Sequence, residues 1–92
     1  MSKVHLSGTL TCSQDDLEML TEAVKLHVEL TRAEPGCERF EVVQSPDNSC
    51  VFNVNETFAD AAAFEAHQAR TRASAWWGKT QHIARDFTMT ND

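Results

Sequence analysis

The sequence predicts an α+β domain, a four-stranded antiparallel sheet with two helices on one face. Three observations predict it. Period-two alternation marks a stretch near each end of the chain; two stretches carry helical signals; and between these lie two alternating runs joined by Pro46-Asp47-Asn48-Ser49.

Taken in order, Val4, Leu6 and Leu10 alternate with His5, Ser7 and Thr9, the pattern of a strand with one buried face. Gly8 in its middle marks a bulge or the close approach of another backbone. Ser13, followed by Asp16, is a helix N-cap with an acid in the first turn. Leu17, Leu20, Val24, His27 and Thr31 then recur at helical spacing, and Pro35-Gly36 stops the helix. Arg39 to Ser45 and Cys50 to Thr57 read as a hairpin, with Phe40 and Val42 sharing one phase and Phe52, Val54 and Glu56 another. Asp60 caps a second helix through Ala61, Phe64 and Ala69. Arg70 to Ser74 is ambiguous, and Ala75 to Gln81 continues as helix. Ile83 to Met89 alternates as a last strand, and Thr90-Asn91-Asp92 is expected to fray. The order β-α-β-β-α-β is that of the ferredoxin-like split βαβ.

With 92 residues, the chain is expected to form one domain over residues 1–92. Fourteen acidic against eight basic residues give a net charge of −6, the wrong sign for a nucleic-acid or anionic-membrane binder. No apolar run approaches the roughly 20 residues of a membrane span, and no apolar segment follows Met1-Ser2-Lys3 as a secretory signal requires. Cys12, Cys37 and Cys50 are odd in number and lack CxxC spacing, so reduced thiols in a cytoplasmic protein are expected. So short a chain has a thin core, and two adjacent tryptophans point to apolar area reserved for a pocket or a partner; a homodimer is expected.

Several polar residues fall on apolar faces. His27 lies on the buried stripe of the first helix, either as a core histidine bonded to a carbonyl or as a neutral imidazole able to move a proton near neutral pH. Glu56 shares its phase with Phe52 and Val54, so it needs a partner, such as Arg85, or a raised pKa in a pocket. His67 follows Phe64 on the inward side of the second helix. His5 and His82 read as surface or strand-end residues, and Cys37 as a structural thiol. Trp76 and Trp77 cannot both face inward, since helical neighbours lie about 100° apart. No nucleotide cradle, hydrolase elbow or zinc motif occurs, so no metal is expected.

Thr31-Arg32-Ala33-Glu34-Pro35-Gly36-Cys37, followed by Arg39-Phe40-Glu41-Val42, resembles a signature of the antibiotic biosynthesis monooxygenase domain family. So does Glu56-Thr57-Phe58-Ala59-Asp60, followed by Ala63-Phe64-Glu65-Ala66-His67, in the same order and at similar spacing. The resemblance implies a dimeric α+β barrel. It also implies an enzyme that oxygenates quinol-like or anthrone-like aromatics with dioxygen and without flavin or metal; other relatives are isomerases of small phosphorylated molecules or degrade haem. Carried over by position, His27, Glu56 and His67 match polar positions and Trp76 an aromatic one. Haem is disfavoured because Trp76, Trp77 and Gly78 stand where a haem-binding histidine is expected.

The resulting expectation is catalysis by His27, His67 and Glu56, with either histidine as general base. Trp76, Phe40 and Phe64 line the pocket, while Asn53 and Arg85 steady oxyanion charge. Strand phase leaves open whether Asn53 faces the pocket or the dimer interface. An isomerase of a small polar metabolite, its phosphate held by Arg70, Arg72 and Arg85, and a non-catalytic ligand-binding module are the alternatives.

Overall fold

The computed structural model describes residues 2–91. Its strands are β1 (Val4–Thr11), β2 (Cys37–Gln44), β3 (Val51–Phe58) and β4 (Ala84–Asn91); its helices are α1 (Leu17–Arg32), α2 (Ala61–Arg72) and α3 (Ala75–Thr80). All pairings are antiparallel in the order β2-β3-β1-β4, the ferredoxin-like α+β arrangement.

Local chemistry accounts for each boundary. Ser13 Oγ accepts from Asp16 N and caps a 3-10 turn, Gln14–Asp16, that leads into α1. The cap is real but belongs to this turn. Asp60 accepts from Ala63 N at 2.8 Å and starts α2. The ambiguous stretch resolves into a break. After Arg72, Ala73 N bonds back to Ala69 O and Arg70 O, and Ser74 Oγ bonds Thr71 O, which ends α2 and leaves Ser74 extended before α3. β4 starts at Ala84 and pairs with β1 as far as Asn91, so Thr90 and Asn91 are strand residues where fraying was expected; Asp92 lies outside the described residues.

Gly8 makes no bulge, because pairing on both sides of β1 is continuous. It is a close approach. A Cβ there would lie 2.1 Å from Asp86 O and 2.3 Å from the Phe87 ring.

Leu10, Phe52 and Val54 on the sheet meet Leu20, Trp76 and Ile83 in one buried cluster, the core beneath the helices. Glu56 shares the buried phase of β3 with Phe52, Val54 and Phe58. His27 occupies a buried position of α1, and His67 and Thr71 are the buried residues of α2. The polar groups of the inner layer thus collect at one end of the core.

Candidate active site

The site begins where α1 stops. Pro35 cannot continue the helix, and Glu34 N and Cys37 N close successive turns onto Thr31 O and Glu34 O. Gly36 then lies so near α2 that an added Cβ would stand 2.2 Å from Ala63 Cβ, and Gly36 O accepts from Ala59 N. Two small residues seat this loop on the start of α2 and carry the Glu34 carboxylate to His67.

Both Glu34 oxygens lie 3.1 Å from His67 Nδ1. Arg70 Nε donates to the same carboxylate, while Arg70 Nη2 donates to Thr31 Oγ1 at 3.0 Å. A carboxylate only accepts, so His67 carries its proton on Nδ1 and turns the Nε2 lone pair inward. There Nε2 is 3.4 Å from Thr71 Oγ1 and 3.7 Å from Glu56 Oε1.

Burial, with a smaller contribution from the Glu34 charge, pushes the Glu56 carboxyl up to about 7. Burial lowers His67, and Arg70 adds to this, while the bond and charge of Glu34 oppose it. Near neutrality the pair is therefore a carboxyl near its titration midpoint facing a neutral imidazole, two groups able to exchange one proton.

His27 stands apart from this row. Its ring stacks on Trp76 at 4.1 Å and 2° and meets the Phe40 edge at 5.4 Å. Its Nδ1 is buried without a hydrogen-bond partner among the described residues. Burial above all, then the charge His67 takes on when protonated and the charges of Arg70 and Arg85, drives its pKa down to about 3. His27 is a neutral ring, 6.1 Å from that of His67.

These groups line a cavity of about 190 Å³. His27, Glu56 and His67 form its polar wall; Leu6 and Phe87 contribute its apolar floor. Trp77, Arg72 and Arg85 also line it, with the Arg85 guanidinium 5.2 Å from the Trp77 ring. A void of about 40 Å³ shares His27, Glu56, Arg85 and Phe87 with it and is otherwise apolar, bounded by Leu10, Phe40, Val54 and Trp76. Another cavity of about 190 Å³, between α1 and the α2–α3 break, has His27 and Trp76 in its wall but neither His67 nor Glu56. The proton-exchanging groups select the first cavity.

His27, His67, Glu56, Trp76, Phe40 and Arg85, separated in sequence, thus converge on adjoining cavities. Two expected site residues do not join them. Asn53 falls between buried Phe52 and Val54 and so points to the other face of the sheet. Phe64 packs on Phe58 at 5.7 Å and lines none of these cavities. Glu56 has no ion pair to Arg85, whose Nε and Nη2 donate to the Ile83 and Thr80 carbonyls. Glu34 and Trp77 are additional members. The sequence signal for Glu34 was its place in the family signature, just before Pro35-Gly36.

A model of the antibiotic biosynthesis monooxygenase (ABM) family matches residues 4–79. The chain belongs to the ABM family. Solved structures agree in fold. A Nitrosomonas europaea protein described as a candidate antibiotic biosynthesis monooxygenase matches with a TM-score of 0.79 at 21% identity, covering 99% of this chain and 89% of that one. A Deinococcus radiodurans protein of the same description gives 0.80 at 22%, covering 97% and 89%. A conserved Methanosarcina mazei protein gives 0.76 at 14%, covering 98% and 92%. No curated protein matches the sequence. In this ABM domain the two signature stretches meet in space, through Gly36 against Ala63 and Glu34 on His67.

Proposed function

We propose that this ABM domain is a cofactor-independent monooxygenase of a quinol-like or anthrone-like aromatic. The observation that carries the reading is the row Glu34–His67–Glu56 opening on a cavity with aromatic walls.

His67 Nε2 takes a proton from the bound aromatic, and Glu34 at Nδ1 stabilises the imidazolium that forms. The resulting anion passes one electron to dioxygen, and the radical pair combines into a carbon–oxygen bond. Glu56, in its protonated form, which persists up to about pH 7, delivers a proton to the peroxide. Cleavage of the O–O bond with loss of the ring carbon's hydrogen leaves a carbonyl and one water, so one oxygen atom enters the substrate and the other leaves reduced. Arg85 steadies the oxyanion, and the apolar void beside Glu56 has room for dioxygen. A cavity on the order of 150 Å³ holds one benzene ring, so the reacting ring enters and a larger fused system extends through the mouth.

Oxygen uptake by metal-stripped protein against reduced quinones and anthrones, with boiled protein as control, tests the reading. Uptake proportional to protein is expected, and His67→Gln should lower it by about a hundredfold or more. Rates no higher than autoxidation across the panel would overturn it.

Arg72 and Arg85 in one cavity favour a second reading, an isomerase of a small phosphorylated metabolite; Arg70, expected to join them, is held by Glu34. Under it, inorganic phosphate would raise the melting temperature and Arg85→Met would abolish that rise.

The sheet face opposite the helices, with exposed Asn53 paired to Val43 (60% exposed), is proposed to pack against a second copy. Light scattering should give twice the 10.3 kDa chain mass.

A further inference from the structure

Cys12 and Cys50 lie at one end of the β1–β3 pair, outside the cavity. The register that matches Thr11 with Val51 brings them directly opposite each other. Cys12 N donates to Cys50 O at 2.9 Å, one of the two bonds of a hydrogen-bonded antiparallel pair. Residues so paired have Cα atoms about 5.5 Å apart, within the roughly 4.4–6.8 Å a disulfide spans. Both side chains point to the helix layer: Cys12 belongs to the buried core cluster, and Cys50 packs against it from a half-buried position. Asn48 Oδ1 accepts from Cys50 N, so the Cys50 backbone is held from both sides.

We propose that Cys12 and Cys50 are a thiol pair that a peroxide converts reversibly into an intramolecular disulfide. Cys50, the more accessible sulfur, attacks the peroxide; the O–O bond breaks, one oxygen leaves as water and the other stays as a sulfenic acid on Cys50. Cys12 Sγ displaces that oxygen as a second water while its own proton is lost. Two thiols and one hydrogen peroxide become one disulfide and two waters. Burial and the neighbouring Cys50 and Asp16 raise the Cys12 thiol, which holds it back from attacking peroxide itself and leaves it to the second step, where its partner lies beside it. The bond would close a loop through α1 and β2 and join the start of the first helix to the hairpin. Cys37, in the strand beyond the Pro35-Gly36 turn, has no part in it.

Wild-type protein is reduced, freed of reductant, exposed to hydrogen peroxide, alkylated and mapped by tryptic mass spectrometry; Lys25, Arg32 and Arg39 place the three cysteines on separate peptides. A Cys12–Cys50 linked peptide from monomeric chains is expected, with Cys37 still open to alkylation. The melting temperature should rise by on the order of 10 °C, and dithiothreitol should reverse both changes. Cys50→Ser should remove the rise. Recovery of Cys12 and Cys50 as alkylated or over-oxidised peptides without a linked product, or a linked peptide containing Cys37 instead, would overturn the proposal.

Discussion

Replacing Gly8 with valine is expected to leave little folded protein. Gly8 pairs with Val54 on one side and Phe87 on the other, in the centre of β1. A Cβ would lie 2.1 Å from the Asp86 carbonyl oxygen and 2.7 Å from Phe87 Cα. Both are backbone atoms inside a hydrogen-bonded ladder, so relief requires β4 to separate from β1. Overpacking that side chains can absorb costs about 1–3 kcal/mol; here the backbone must move, and a loss of about 4 kcal/mol or more is expected against a total stability of roughly 5–15 kcal/mol. Gly78→Ala is the control. It sits in α3 with nothing within 4 Å of an added Cβ, and the better helix propensity should add about 0.5–1 kcal/mol. Paired urea titrations check both; a soluble Gly8→Val protein of near wild-type midpoint would refute the close-approach account.

Glu56→Gln should alter both stability and turnover, each with its own pH signature. Glu56 is raised from 4.5 to about 7, so it contributes stability below pH 4.5 that is lost as pH rises through 7. His27 is lowered from 6.5 to about 3, so its contribution is present above pH 6.5 and is lost as pH falls toward 3. Between pH 4.5 and 6.5 the two slopes oppose each other, and the wild-type contribution from this pair is nearly flat. Removing Glu56 exposes the histidine slope, so the variant should gain stability with rising pH by about 1 kcal/mol per pH unit across that window. At pH 8 it should exceed wild type by on the order of 2–3 kcal/mol, since position 56 then buries no ionised carboxylate. In the proposed reaction the same change removes the proton donor: the rate should fall by about a hundredfold, and the decline of the wild-type rate above pH 7 should vanish. Melting temperature and oxygen uptake against pH measure the two effects separately. A variant with unchanged pH dependence in both would remove Glu56 from the buried chemistry.

Much of this architecture is legible in short-range pattern. Alternation around Val4 and Leu10, the Asp60 cap and the Pro35-Gly36 stop specify their elements because each depends on chemistry a few residues wide. Phase also carried the unusual placements: Glu56 in step with Phe52 and Val54, and His27 in step with Leu20 and Val24, are both buried. Phase alone could not tell which side of β3 a hydrogen-bonding asparagine serves, and Asn53 settled on the face away from the helices.

What the sequence by itself determined was the four strands and the two main helices, their order, and the inward phase of residues such as His27 and Glu56. Those follow from local backbone chemistry and from the free energy of removing apolar side chains from water. Only the tertiary structure decided that Glu34, from the loop after α1, orients His67 on α2, and that Trp77 closes the cavity over Arg85. Contacts of this kind join residues 33 positions apart in the first case, and no periodicity spans such a distance. They depend on how closely two backbones approach, which here is set by Gly36 meeting Ala63 and by Gly8 meeting β4.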